Sequence, residues 1–117
     1  MKVFHAVASI ASCESSWTIQ PYRERLWCAA FQVDSLDGLF DMAVATDALP
    51  VLNAAISRFD THTEELRALL DPQDFAVLRG NQRILKGMRK FLLRCGGHIS
   101  GAIDKDELDA PDNGDEE

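Results

Sequence analysis

The chain has only three cysteines, Cys13, Cys28 and Cys95, and no two of them form a C-x-x-C pair. An odd, unpaired set excludes a disulfide framework and a cysteine-based zinc site. Free, largely buried thiols in a reducing cytoplasm are expected instead. No apolar run reaches the roughly 18 residues of a membrane span, so no membrane partner is expected. The three histidines, His5, His62 and His98, never stand four apart, which excludes an H-E-x-x-H helix, and no metal site is expected. His62 lies beside Glu64 and Glu65, but "THTEE" reads as a helix start rather than a ligand set. "CGGH" and "SGAI" lack the strand context and the lysine of a phosphate loop. Cys13 with His5 would be a nucleophile and a base with no third group to orient them. No catalytic residue and no cofactor is therefore expected, and the chain reads as non-enzymatic.

What is present is enough for one core. With 117 residues, 46% of them apolar and 26% charged, the chain is one globular domain rather than a disordered segment. Ile10-Ala11-Ser12-Cys13 has the look of a bacterial lipid-attachment box. The apolar stretch before it is short for a secretory core and contains His5 and Ser9, so this start is expected to belong to the folded body. Residues 3–11 fit two periods. Val3, Phe4, Val7, Ala8 and Ala11 share a helix face, whereas Phe4, Ala6, Ala8 and Ile10 alternate as in a strand. Helix is the expectation, because no clear strand partner follows, and "SCESSW" reads as a polar loop.

Helical spacing then recurs. Pro21 suits the first turn of a helix carrying Tyr22, Leu26, Ala29, Ala30 and Val33. Asp34 or Ser35 would cap a third helix with Leu36, Leu39, Phe40, Ala43 and Val44 on its buried side. Asp47 would cap a fourth, with Pro50 in its first turn and Val51, Leu52, Ala55, Ile56 and Phe59 inward. Thr61–Glu64 has capping-box spacing before Leu66, Leu69 and Leu70. Asp71 would cap a last helix from Pro72 to about Cys95, with Asp74 near its positive end and Gly96-Gly97 as its stop. The expected fold class is all-α: a compact bundle of five to six short helices with a long amphipathic C-terminal helix and a disordered acidic tail. The domain is 1–103 and the tail 104–117.

Charge is distributed unevenly. The chain has a net charge of -7, and residues 1–103 contain eleven acids and eleven bases, so the whole excess lies in 104–117. Residues 79–94 hold six of the twelve basic residues and no acid. At 100° per residue, Arg79, Arg83, Lys86, Lys90 and Arg94 form one stripe, with Arg89 to its side and an apolar face opposite. Such a stripe is often only solvated surface. It is also long enough to contact a partner, or to receive the acidic tail folded back upon it.

These features predict a cytoplasmic protein-interaction module. Its partner contacts are expected from Arg79, Arg83, Lys86, Arg89, Lys90 and Arg94, and from Trp17, placed in a polar loop as a half-exposed anchor. A small acidic protein of this kind suits a phage- or plasmid-type antagonist of a nucleic-acid-handling partner, its carboxylates standing in for a phosphate row. The alternative is a nucleic-acid-binding protein using the basic face of helix 72–95. Against that alternative stand the net charge and the lack of aromatic residues interleaved with the bases.

Overall fold

A computed structural model describes residues 1–9 and 13–105. It overturns the all-α expectation. Among the described residues the chain forms a four-stranded antiparallel sheet with helices packed on it, not a helical bundle. The strands are β1 (Lys2–Val7), β2 (Glu14–Ile19), β3 (Phe40–Val44) and β4 (His98–Asp104), in the order β2-β1-β4-β3. The helices are α1 (Glu24–Phe31), α2 (Ala45–Thr61), α3 (Thr63–Arg67) and α4 (Val77–Cys95).

Residues 2–7 resolve to the strand period because their partners lie at both ends of the sequence. β1 pairs with β2 from Lys2↔Ile19 to Val7↔Glu14, and with β4 from Lys2↔Asp104 to Val7↔His98. The stretch read as a loop is β2. Ser15, Trp17 and Ile19 turn toward the helices, while Glu14, Ser16 and Thr18 are exposed. Polar residues at every second position are what a strand covered on one side requires.

The third expected helix does not form. Gly38 at φ 68 makes a turn after Asp37, a conformation glycine adopts without steric cost. Leu36 is buried there without being helical. Phe40 pairs with Gly101 and Val44 with His98, across a bulge that contains Met42 at φ 50.

The helices cover one face of the sheet. Phe4 stacks on Trp27 of α1 with ring centroids 6.1 Å apart, and Trp17 stands edge-on to Phe91 of α4 at 6.0 Å. Pro21 opens a 3-10 turn, Pro21–Arg23, that leads into α1. In α2, Ala48, Leu52, Ala55, Ile56 and Phe59 are buried, the spacing of a single apolar stripe. The expected capping box does not form. The residue before α3 is His62, with no side-chain cap, and the Thr61 hydroxyl bonds back to the Ser57 carbonyl.

α4 begins at Val77 rather than Pro72 and ends at Cys95, before Gly96. Asp71 caps a turn, its Oδ1 accepting the Gln73 N–H at 2.7 Å. Val77 then takes φ 55, a left-handed conformation that is costly for a β-branched residue and breaks helical continuity with the turn. Leu78, Leu85, Met88 and Leu92 face the core, each worth about 1.5–3 kcal/mol on burial.

The folded body reaches through Asp104, the end of β4, and Lys105, whose N–H donates to the Met1 carbonyl at 2.8 Å. The remainder of the expected tail, 106–117, lies outside the described residues, as do 10–12 of the lipid-box tetrapeptide. No helix among the described residues is long and apolar enough to cross a membrane.

Candidate functional site

α4 is fixed in place by two polar clusters that hold its buried Asn81 and Gln82. In the first, Arg23 grips Asp74 with two parallel bonds, Nε to Oδ2 at 2.9 Å and Nη2 to Oδ1 at 3.0 Å. Asn81 donates to Asp74 Oδ2 at 3.0 Å and to the Val77 carbonyl at 2.7 Å, and accepts from Trp27 Nε1 at 2.8 Å. Burial pushes the Asp74 carboxyl up, but the bonds from Asn81, Arg23 and the Ala76 N–H outweigh it and hold the group below the ordinary carboxylate range. In the second, Gln82 donates to the Ile56 carbonyl at 3.1 Å, and Arg79 bridges Gln82 and Asp60 at 2.8 and 2.7 Å. Hydrogen bonds from Arg79 and Gln82 lower the Asp60 carboxyl, and the charge of Lys86 adds to this. Sequence reasoning placed Asp74 at a helix end and missed Arg23, Asn81 and Gln82 altogether. The only signal was a set of polar residues at apolar-phase positions of a helix.

The outward side carries the expected stripe. Arg79, Arg83, Lys86, Lys90 and Arg94 are all exposed, and Arg89 is half-buried with a 3.1 Å bond to Asn53 Oδ1. They differ in occupation. Arg79 is engaged by Asp60 and Lys86 acts on the same carboxylate through space. Arg83, Lys90 and Arg94 have no carboxylate partner among the described residues. From Arg83 to Arg94 this open row runs about 16 Å at 1.5 Å per residue.

Apolar groups flank the row. Leu93 is 65% exposed, and at the other end of α4 Phe75 is 89% exposed and Val77 52%. Phe75 follows Asp74, whose side chain is anchored in the core, so its ring is held outward from a fixed backbone. The sequence had buried nothing on Phe75 and had given it no role. Trp17 is not in a loop. It lies on β2, half-buried against Phe91.

A further cluster stands on the open face of the sheet. His5 Nδ1 is 2.9 Å from Ser16 Oγ, its cross-strand neighbour, and His5 Nε2 is 3.0 Å from Glu14 Oε1. The order is that of a serine–imidazole–carboxylate relay. None of the three cavities among the described residues is lined by these side chains. They make a cross-strand polar cluster.

All three cysteines are free, with Cys13 exposed rather than buried and Cys28 and Cys95 half-buried. Burial pushes the Cys28 thiol up, and Glu24, Asp34 and Asp37 add to the effect. No cluster of three or more metal-ligating side chains occurs among the described residues. Comparison with protein-family models, with curated proteins and with solved structures finds no match to this chain.

Proposed function

We propose that the protein is a non-enzymatic interaction module that docks on an acidic protein surface through the outward face of α4. The observation that carries this reading is the row Arg83, Lys90 and Arg94, exposed and without carboxylates among the described residues, on a helix whose other side is locked into the core. The helix backbone is already ordered, so docking orders only the side chains, at about 0.5–1.5 kcal/mol each. Leu93, exposed on the same helix, gives the face a mixture of arginine and exposed apolar surface that marks protein interfaces. In its specific form the module is an antagonist of a nucleic-acid-handling protein. The seven acids of 106–117 would then compete for the partner's phosphate-binding groove while α4 holds an acidic surface beside it.

The test is capture from the native host with wild type and with R83E/K90E/R94E. Wild type is expected to hold one specific companion that the reversed variant loses while still unfolding cooperatively. Retention of the same companion by both proteins overturns the reading.

The second reading, direct binding of nucleic acid, is favoured by the collinear spacing of the cations. It requires retention on a short duplex at low salt and a steep loss as salt rises. Absence of retention at low salt removes it.

A further inference from the structure

Away from α4 and from the open sheet face, the ends of α1 and α2 and the short α3 enclose a crevice of about 280 Å³. Its apolar wall is Ala29, Leu66 and Leu69. Its polar groups are few and point to two different charges.

The first is Arg58. Its guanidinium is half-buried and caps α1 by donating to the Ala30 carbonyl, one of the carbonyls a helix end leaves without an internal partner. That uses one of five N–H donors. Of the other cations drawn into the body, Arg23 and Lys2 hold carboxylates, Asp74 and Asp37, and Arg89 holds the Asn53 amide oxygen. Arg58 holds no carboxylate among the described residues. Beside it Gln32 ends α1 at φ 59, ψ 49, a left-handed position usually given to glycine. A strained residue on a cavity wall, here one carrying an amide, points to use of its side chain.

The second charge comes from His62 and Glu65. Thr61 Oγ1 lies 3.2 Å from the Ser57 carbonyl and 2.8 Å from His62 Nδ1, and when its proton goes to Ser57 it accepts from His62 Nδ1–H. In the neutral ring this leaves the lone pair on Nε2, 3.9 Å from Glu65 Oε1. Two acceptors thus face one another at a distance too long for a bond between them and suited to a shared cationic donor.

We infer that this crevice binds a free α-amino acid with a small aliphatic side chain. The carboxylate accepts from the remaining Arg58 N–H groups and the Gln32 amide. The ammonium donates to Glu65 and His62 Nε2, and the side chain lies on Leu66 and Leu69. The ligand's two charges match the two of the site, and the cavity is at the small end of the range for ligand pockets.

The experiment uses the full chain and leucine as probe, read by backbone and side-chain amide shifts. Leucine is expected to move Gln32, His62, Leu66 and Leu69 in a saturable manner. For nine heavy atoms the dissociation constant is on the order of 1 mM or below. Isocaproate, lacking the ammonium, and isoamylamine, lacking the carboxylate, are each expected to bind about tenfold more weakly or less, since a charge-assisted bond is lost. Glu65→Gln is expected to abolish the advantage of leucine over isocaproate, and Leu69→Trp to block all three ligands by filling the crevice. Arg58→Gln also removes the cap on α1, so the two other variants decide the matter if it fails to fold. No shifts at these residues up to about ten times the expected constant, equal binding of leucine and isocaproate, or unaltered binding by Leu69→Trp overturns the inference.

Discussion

Asp74 is the side chain on which most of the buried polar structure converges. It is 3% exposed and takes bonds from Arg23, Asn81 and the Ala76 N–H. Replacing it by asparagine leaves the Arg23 guanidinium buried without its counter-charge. Breaking a buried pair in this way costs about 3–5 kcal/mol, measurable as a lower midpoint in urea at constant slope. The pH dependence has a definite sign. The folded group titrates below its unfolded value of about 3.9, so its contribution is whole above that value and is lost as pH falls through the folded one. Wild type is therefore expected to lose stability below about pH 4, and Asp74→Asn to show a flatter acid limb in the same window. One bond further along, Trp27→Phe keeps a ring against Phe4 but removes the donor to Asn81 Oδ1. An orphaned buried acceptor costs about 1–3 kcal/mol, and the same urea titration measures it.

At the scale of elements, the junction between α4 and β4 is the tightest point. Gly97 has φ 85, and a Cβ there would lie 1.8 Å from the Val7 carbonyl oxygen. Gly97→Ala cannot be accommodated without moving the start of β4 off β1. It is expected to destabilise by well over 1 kcal/mol, seen as loss of amide protection along His98–Ile103. The face of α4 behaves in the opposite way. Reversing Arg83, Lys90 and Arg94 is expected to change stability by only about 0.5 kcal/mol per site, checked by thermal melting, while removing partner binding.

The same contrast explains what the sequence made legible. α2 and α4 were readable because their apolar stripes are local, as was the end of α4 at Gly96. The strands were not. β1 fits both periods over its few residues, and only its pairing with β2 and β4 decides between them. β2 shows polar side chains to solvent at alternate positions and so resembles a loop, and β3 is short and bulged. Of the candidate site, the row on α4 followed from spacing alone. Phe75 and the Asp74 cluster did not, because the turn at Val77 and the approach of Arg23 are tertiary facts.

For the whole molecule, the excess charge lies outside the described body. Residues 106–117 contain seven acids and no base, which equals the chain's entire net charge of -7. Ending the chain after Lys105 is expected to bring the isoelectric point from about 4.8 to near neutrality. It should also slow association with a cationic partner at low salt, measurable as a reduced on-rate. A cut after Gly97 removes β4 from between β1 and β3 and is expected to abolish cooperative unfolding.

The place of β4 also affects how the protein is made. β1 is synthesised before the other strands, yet β4, its neighbour at the centre of the sheet, is the last of the described strands to follow it. At about 5–20 residues per second, roughly 100 residues of delay leave one edge of β1 waiting for several seconds. Through that interval Val3, Phe4 and Ala6 are available to chaperones, and native assembly can finish only once translation of the body is over.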